Sequence, residues 1–575
     1  MEGRQPAGPR GLGDTGQSGP DGPGGKIDRR EFLQRASAVG VSLTAATALH
    51  AVHESGSVTA PAARRAAKAT KGGTLVFGPV GDGANYDPCT NAYDYPAPPF
   101  PSIYEGLMAY VPGAPSGSPA HYLLAESIER SADGKTYAFT LKRGVEFHHG
   151  FGELTAADVK YSFERNVGIV PLYPGAKKSD VSYYAGDMPG LSEVKVTGKY
   201  TGLIIFKEPF VPFETITLPW ATSGYIVPQK AVEKYGSTWP LHPVGTGPYE
   251  VASYTPNSEM NLQRFANYSG ANLKLGARNW FDQIRIMLTP LNSSPKGVAL
   301  TVALQSGESD FTPYLGALDV KRLHGNSALR TYAPLSPLNY FFIALDVQNP
   351  KLKDIRVRQA VRYAINIPEI LAANLQSPTR LPSLIAKQMG VGYWAGAPVY
   401  IRDVAKAKSL LAEAGVSGLT LEIADPLLTQ SPGEPNSVMQ VIQSNLSDAG
   451  ISLDIIETPP NSYVGKAGVG SLSWTMYGGA PDPYYQFEWF TCSQIGVWNY
   501  ASWCNKEYSA LLPKLGSTSA VAERDAISIE MQRLIDEDVS YIWISSAIGY
   551  AASKSNVMGV FDRNANALLH YFHTV

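Results

Sequence analysis

Apolar and polar residues alternate, and then recur at helical spacing, within one short segment, residues 133–165. Apolar side chains occupy every second position of 137–141, a period that predicts a half-buried strand. Thr155 and Asp158 have the spacing of a capping box, in which two side chains satisfy free amides at the start of a helix. The segment therefore predicts a strand followed, after two turns, by a helix.

A second pattern in the last third of the chain predicts a strand, a helix and another strand. Apolar residues alternate over 419–423 and again over 451–455, and they have helical spacing over 438–449. Such a unit implies a parallel, right-handed pairing of the two strands. Ligands of open α/β sheets bind beyond the carboxyl ends of the strands, here Asp425 and Thr458.

Composition is that of a globular protein of two or three domains, with 575 residues, 44% of them apolar and 17% charged. Residues 1–28 are too rich in Gly and Pro to form a core. Arg29 and Arg30, the Phe-Leu pair after them and a short, weakly apolar run indicate a twin-arginine export signal, with a buried helix as the alternative. The run is too short and too polar to span a bilayer.

Net charge argues against nucleic acid and anionic lipid as partners. Residues 1–71 carry 10 Lys and Arg against 6 Asp and Glu, a net charge of +4. Since the whole chain has a net charge of −2, the remaining residues carry about −6. Because of the export signal, we expect an exported protein, periplasmic or at the cell surface, without a transmembrane helix in its mature part. The leader has no cysteine that would carry a lipid anchor.

The three cysteines of the chain are consistent with an exported protein. Cys492 and Cys504 are separated by 11 residues of an aromatic loop. We expect them to form a disulfide, because closing a short loop outside the cytosol stabilises a protein by about 3 kcal/mol. The alternative is two free, buried thiols. Cys89 would then be single.

The segment 133–165 resembles the signature of the family 5 solute-binding proteins of ABC importers. Further motifs of that family occur in the same order along the chain. They are Gly72–Leu75, Tyr86–Pro88, Tyr104–Leu107, Val244–Tyr249, Asp354–Ala360 with Tyr363–Ile365, and Pro481–Pro483.

This resemblance implies an α/β, periplasmic-binding-protein-like fold of two lobes joined by a two-strand hinge, with an additional inserted domain. A disordered lead-in, export signal and linker would occupy 1–71. The divisions implied by the family are 72–115, 240–335 and 535–575 for lobe I, 116–239 for the inserted domain, and 336–534 for lobe II. The expected function is that of a monomeric substrate-binding component, which captures a peptide-like or other polar solute between its lobes and delivers it to a membrane permease.

Sequence motifs of the common enzyme classes do not occur. The mature chain has no G-x-S-x-G, H-E-x-x-H, Walker A or G-x-G-x-x-G pattern, so we expect neither an enzyme nor a cofactor. His148 and His149 are the strongest candidates for metal ligands. Adjacent residues on an extended segment point to opposite faces, so the two cannot bind one ion together, and a surface turn is the favoured interpretation. His570 and His573 would share a face only in a helix, and two imidazoles alone make a poor metal site.

An aromatic-rich segment is the candidate binding surface. Ten aromatic residues occur between 474 and 503, where the average of 10% predicts about three. They are mixed with Gly, Pro and Asn and lack helical or strand spacing, which favours a cleft wall whose rings contact a ligand while polar tips orient it. The alternative is that the rings pack inside their own lobe.

The resemblance raises a question about ligand charge. Peptide-binding members of the family carry an Asp in this segment that pairs with the ligand's ammonium group. The matching position here is Gly479 or Tyr477, depending on the alignment, and neither is charged. Asp482 and Asp346 are possible substitutes. The family favours a peptide ligand, whereas the missing charge and the abundance of Trp and Tyr make an oligosaccharide the alternative.

Ten residues are our candidate ligand contacts. They are Asn85, Tyr86, Tyr93, Tyr340, Trp394, Trp474, Tyr477, Asp482, Trp498 and Asn499. A simple turn at Tyr86 and a packed loop at Trp394 are the alternatives there. Two other function classes stay open: a solute receptor that feeds a sensor without transport, and a secreted hydrolase, which would need a nucleophile, a base and an orienting group in one cleft.

Overall fold

The computed structural model describes residues 71–83, 85–91, 98–114, 118–177, 180, 182, 184–290, 297–373, 379–424, 437–456 and 470–575. The expected export signal, Tyr93 and the strand-end residues Asp425 and Thr458 lie outside these ranges. The described chain forms three main β-sheets with helices packed against them.

Lobe I is built on a seven-stranded mixed sheet. Its first strand, Thr74–Asp82, lies near the middle and pairs in parallel with Gln283–Pro290 and Phe311–Leu315. Leu75 and Phe77 on this strand are fully buried. The complete order is Leu329–Tyr332, Tyr550–Lys554, Phe311–Leu315, Thr74–Asp82, Gln283–Pro290, Glu259–Arg264 and Tyr249–Thr255.

The inserted domain is built on a four-stranded antiparallel sheet, and it confirms the first pattern read from the sequence. In strand Thr136–Leu141 every second residue is buried, as the alternation predicts. Helix Ala156–Asn166 begins at the capping box formed by Thr155 and Asp158. The sheet order is Ala125–Arg130, Thr136–Leu141, Thr201–Phe206 and Leu191–Gly198.

Lobe II is built on a five-stranded sheet, and it confirms the second pattern. Strands Thr420–Ala424 and Ser452–Ile456 run parallel, with helix Ser437–Asp448 between them in the chain. The sheet order is Ser452–Ile456, Thr420–Ala424, Leu472–Tyr477, Leu335–Leu345 and Tyr541–Ile548.

Two neighbouring connections join lobe I to lobe II, as the resemblance implies. One runs from strand Leu329–Tyr332 into Leu335–Leu345, and the other from Tyr541–Ile548 into Tyr550–Lys554. The amide of Gly549 donates a hydrogen bond to the carbonyl of Pro334 at 3.0 Å, so the two connections touch. They are the hinge of a two-lobed fold.

One implied division differs from the strand pairing. Residues 535–575 were assigned to lobe I as a block, but strand Tyr541–Ile548 pairs with Leu335–Leu345 in the sheet of lobe II. Ile542 and Ile544 pack into the core of that lobe. The change of lobe occurs at Gly549, where no motif marks it in the sequence.

Most remaining helices cover the sheets. Helices Ile355–Ala364 and Val404–Glu413 begin at Asp354 and Asp403, whose side chains accept hydrogen bonds from the first turn. The other helices are Phe100–Ile103, Gln229–Tyr235, Val298–Gln305, Ala317–Leu323, Ile367–Ala373, Pro483–Glu488, Lys506–Ser517 and Val521–Asp538, and the short strands are Met108–Ala109, His121–Tyr122, Val557–Met558 and His573–Thr574.

Not one of the described helices combines the length and the apolarity that a bilayer crossing requires.

Candidate functional site

Lobe II and the inserted domain face each other across a closed cleft. The hydroxyl of Thr215 donates to Asp482 Oδ2 at 2.8 Å, and the amide of Val211 donates to the carbonyl of Gly516 at 2.8 Å. The rings of Phe210 and Tyr484 meet edge to face, with centroids 5.2 Å apart. These contacts join residues from separate sheets, so they exist only when the lobes are close together.

An apolar layer fills the same contact. Trp220 of the inserted domain packs with Tyr485 and Trp489 of lobe II, where Ile216, Ala221, Ala480 and Tyr110 complete the cluster. Trp489 in turn contacts Trp498, with ring centroids 5.5 Å apart. The aromatic-rich segment therefore contributes at least part of its rings to the boundary between the lobes.

Lobe I closes the far side of this layer. The amide of Asn564 donates to the carbonyl of Gly479 at 3.0 Å, and the guanidinium of Arg563 lies 4.0 Å above the ring of Tyr110. A Cβ at Gly479 would lie 2.2 Å from the carbonyl oxygen of Leu338, so the backbone approach at this point requires glycine. A cavity of about 100 Å³ adjoins the layer between lobe I and the inserted domain, and Trp220 and Tyr110 line it.

Two carboxyl groups meet within the cleft. Asp187 lies in a turn of the inserted domain, where Ser223 Oγ donates to its Oδ2 at 2.5 Å and Thr217 Oγ1 donates to its carbonyl at 2.7 Å. Glu488 ends the helix Pro483–Glu488 of lobe II. A Cβ at Gly186 would lie 3.5 Å from Glu488 Oε1, which places this carboxyl against the turn of Asp187.

Both carboxyl groups are strongly perturbed. Loss of water, and after it the negative charge of Asp187, raises the pKa of Glu488 to about 8. Loss of water raises the pKa of Asp187 to about 6, although the hydrogen bond from Ser223 acts in the opposite direction and lowers the pKa. Each residue keeps some exposed surface, while the surrounding protein displaces most of the water around its carboxyl group.

Asp482, a predicted contact, has its charge already neutralised. Its Oδ1 lies 2.5 Å from the guanidinium of Arg524, in a pair that is almost fully buried. It also accepts a hydrogen bond from the amide of Tyr484 and so begins the helix Pro483–Glu488. In this arrangement Asp482 positions the helix that carries Glu488.

Four other predicted contacts lie in the interior of lobe II. Trp474 is fully buried and stacks on Phe341, with centroids 5.4 Å apart. The hydroxyl of Tyr477 donates to the carbonyl of Trp498, and Tyr340 is 1% exposed. Asn499 donates to the carbonyls of Phe490, Thr491 and Trp503, and thereby shapes the loop from within.

The remaining predicted contacts lie nearer the surface or in lobe I. Trp394 and Trp498 are half-buried. The side chain of Asn85 bonds to Thr90 within its own turn, and Tyr86 is buried, with its hydroxyl 3.0 Å from Asp82.

Cys492 and Cys504 form a disulfide, which closes the loop that carries Trp498 and Asn499. Cys89 is buried, and burial raises the pKa of its thiol to about 12.

The expectation of a surface turn at 148–149 is wrong for one of its two histidines. His148 is fully buried, with Nε2 2.9 Å from the carbonyl of Gly247, and burial lowers its pKa to about 4. His149 is exposed and has a positive φ of 55°. The described residues contain no group of three His, Cys, Asp or Glu side chains that would hold a metal.

Sequence reasoning did not select Asp187, Glu488 and Trp220, which lie where the inserted domain contacts lobe II. Asp187 and Trp220 lie in irregular segments without a repeating pattern, and they meet Glu488 only through the folding of two domains. The only sequence indication was that Glu488 lies inside the aromatic-rich segment.

Comparison with known proteins agrees with this architecture. The family model described as bacterial extracellular solute-binding proteins, family 5 Middle, matches residues 120–496. The dipeptide-binding protein of Escherichia coli K12 is 28% identical over 510 residues, which cover 84% of this chain and 91% of that protein.

Solved structures share the fold. The dipeptide binding protein from Pseudoalteromonas sp. SM9913, in complex with Met-Leu, superposes with a TM-score of 0.74 at 20% identity, over 87% of this chain and 100% of that one. MoaA from A. tumefaciens R10, in complex with mannopinic acid, superposes with a TM-score of 0.71 at 23% identity, over 88% and 99% of the two chains.

Proposed function

The chain belongs to the bacterial extracellular solute-binding proteins of family 5, and from this premise we propose that it is the substrate-binding component of an ABC importer. It captures a peptide-like solute between its lobes and delivers it to a membrane permease. The observation that supports the proposal is the cleft itself, in which lobe II meets the inserted domain through an aromatic layer and two hydrogen bonds. A two-strand hinge joins lobe I to lobe II.

Closure supplies the mechanism. The contacts of Thr215 with Asp482 and of Val211 with Gly516 form only in the closed state. A solute bound between the lobes adds contacts that the open state lacks, and so shifts the open and closed populations towards closure. The permease would recognise the closed form. This cycle requires no covalent step.

A peptide is the favoured solute class. The related protein of E. coli is named a dipeptide-binding protein, and the related solved structure from Pseudoalteromonas holds Met-Leu. Half-buried Trp394 and Trp498 are the predicted contacts best placed to offer a ring face to such a solute. An oligosaccharide is the alternative, since stacked rings also suit sugars.

Calorimetry separates the two classes. The mature protein is titrated with a pool of dipeptides and tripeptides, and separately with a pool of oligosaccharides. We expect micromolar or tighter binding of peptides and none of sugars. Binding of sugars alone would contradict the peptide assignment, and hydrolysis of either pool by the purified protein would contradict a binding role.

Export by the twin-arginine route is part of the proposal. Replacement of Arg29 and Arg30 by lysine should retain the protein in the cytosol, because that pathway reads the arginine pair. Fractionation of cells that produce the variant and the unchanged chain measures the effect. Equal export of the two would contradict the assignment. We further propose that the exported protein acts as a monomer, which sedimentation tests directly.

A further inference from the structure

Asp187 and Glu488 belong to different domains and come together only where the inserted domain meets lobe II. Asp187 is fixed in its turn, because Ser223 and Thr217 donate hydrogen bonds to its side chain and to its carbonyl group. Glu488 lies at the end of a helix of lobe II, and its Oε1 would lie 3.5 Å from a Cβ at Gly186, the residue before Asp187. Opening of the hinge would separate the two carboxyl groups and let water reach both of them.

The basic groups around this contact do not neutralise the pair. Each of three arginines on the surrounding elements faces another group: Arg130 faces Glu214, Arg524 faces Asp482, and Arg563 faces Asp562 and the ring of Tyr110. Tyr484, on the same helix as Glu488, is a phenol whose pKa is raised by burial and by the carboxylates near it, so it carries no charge at pH 7. Among the described residues the charge that acts on the pKa of Glu488 is that of Asp187, and no cation acts on either carboxyl group.

Two carboxyl groups that are pressed together in a poorly hydrated contact cannot both ionise easily. In the closed state, loss of water and the charge of Asp187 raise the pKa of Glu488 from 4.5 to about 8. Loss of water raises the pKa of Asp187 from 3.8 to about 6. In the open state both groups face water, so their pKa values return towards the ordinary ones. At neutral pH the closed state therefore holds a proton that the open state releases.

We propose that the lobes close with uptake of a proton at the facing carboxyl groups of Asp187 and Glu488, so that acid favours the closed state and a rise in pH favours the open one. The inference rests on the lobe closure of the proposed function, but not on the class of solute. The contribution of the pair to closure is fully present below the ordinary pKa values of 3.8 and 4.5, and it is lost as the pH rises through about 6 and about 8. An exported protein is exposed to the pH of its surroundings, so it would capture its solute most tightly where they are acidic.

Other acids with raised pKa values would not produce this effect. Burial raises the pKa of Glu105 to about 7, and its carboxylate accepts hydrogen bonds from Tyr268 and Thr246 at 2.7 and 2.9 Å. Both partners belong to lobe I, so opening of the hinge leaves them in place. Asp562 is likewise held by backbone amides of its own turn. A dependence of closure on pH that disappears with Glu488 therefore reports the contact between the lobes.

The test measures the uptake of protons when a solute binds. The dipeptides Ala-Phe, Met-Leu and Gly-Leu are titrated at pH 7 in two buffers of different ionisation enthalpy, because the difference in heat gives the number of protons taken up. Calorimetry is performed on the wild type, on Glu488→Gln, and on Glu193→Gln as control, since Glu193 is exposed on the inserted domain. Glutamine keeps the size of glutamate, and thermal unfolding checks that both variants are folded. Titration of the amino group of the dipeptide is common to the three proteins and cancels in the comparison.

We expect the wild type to take up about one proton more than Glu488→Gln for each dipeptide bound, because at pH 7 Glu488 is mostly protonated in the closed state and ionised in the open state. From pH 6 to 8.5 the affinity of the wild type should fall by at least about 10-fold more than that of Glu488→Gln, and Glu193→Gln should behave as the wild type does. Equal proton uptake by the wild type and Glu488→Gln, or an equal dependence of their affinities on pH, would overturn the inference and leave the proposed function intact.

Scattering decides the case in which none of the dipeptides binds, a result that would contradict the peptide assignment. The radius of gyration of the ligand-free protein is then measured at pH 5.5 and at pH 9. A smaller radius at pH 5.5 in the wild type, without such a change in Glu488→Gln, supports proton-linked closure for a solute of another class. A radius that stays constant with pH in the wild type, or that changes equally in both proteins, overturns it.

Discussion

At the scale of single residues, the buried pair of Asp482 and Arg524 stabilises the segment that faces the cleft. Asp482→Asn would leave the guanidinium of Arg524 buried without a compensating charge. We expect the free energy of unfolding to fall by about 3 to 5 kcal/mol, the usual result of breaking a buried ion pair. Denaturant titration measures it, with Asp454→Asn as an exposed control in the same lobe. A loss below about 1 kcal/mol, within the range of exposed pairs, would contradict this role.

The perturbed acid Glu488 makes stability depend on pH in a definite direction. Its pKa is raised from 4.5 to about 8 in the folded state, so the folded protein holds a proton that the unfolded chain releases. The contribution of Glu488 to the free energy of unfolding is fully present below pH 4.5 and is lost as the pH rises towards about 8.

Thermal unfolding of the ligand-free protein checks this effect. Because Glu488→Gln cannot ionise, its melting temperature should rise relative to the wild type as pH increases from 5 to 9. Other buried acids with raised pKa values, such as Glu105, act in the same direction in both proteins and cancel in the comparison. A difference in melting temperature between the two proteins that stays constant with pH would contradict the raised pKa of Glu488.

The sequence could locate the aromatic wall but not the residues that face across it. Ring content is visible in the sequence, whereas the orientation of each ring depends on packing within lobe II. Trp474 and Tyr477, which lie on one strand, are both covered by their own lobe. Asp187 and Glu488 form no spacing pattern, because two separate domains bring them together.

At the scale of elements, the disulfide between Cys492 and Cys504 holds the loop that carries Trp498. Replacement of both cysteines by serine should lower the free energy of unfolding by about 3 kcal/mol, because the unfolded chain gains conformational freedom. Peptide affinity should fall as well if the loop contacts the solute.

Denaturant titration with and without reductant measures the effect. Reductant should destabilise the wild type and leave the double variant unchanged. Equal sensitivity of the two proteins to reductant would show that the bond does not stabilise the loop.

Regular elements were predictable where local patterns determine them. The alternation at 136–141, the capping box at Thr155 and the strand, helix and strand of lobe II all depend on neighbours in the sequence, and all form. The division at Gly549 was not predictable from pattern, because strand Tyr541–Ile548 is apolar and would suit either sheet.

At the scale of the whole molecule, the hinge connects these observations to function. Two short connections at Pro334 and Gly549 join the lobes, and the contact of Thr215 with Asp482 lies in the cleft. Binding energy released in the cleft can therefore be used to move one lobe against the other. The fold and family were accessible from ordered motifs, whereas the residues that meet across the cleft required its geometry.

Small-angle scattering of the mature protein, with and without the Ala-Phe, Met-Leu and Gly-Leu set, tests the central claim most directly. The account predicts that the radius of gyration decreases when the peptides bind, and that mass spectrometry recovers them intact. An unchanged scattering profile together with cleaved peptides would contradict it.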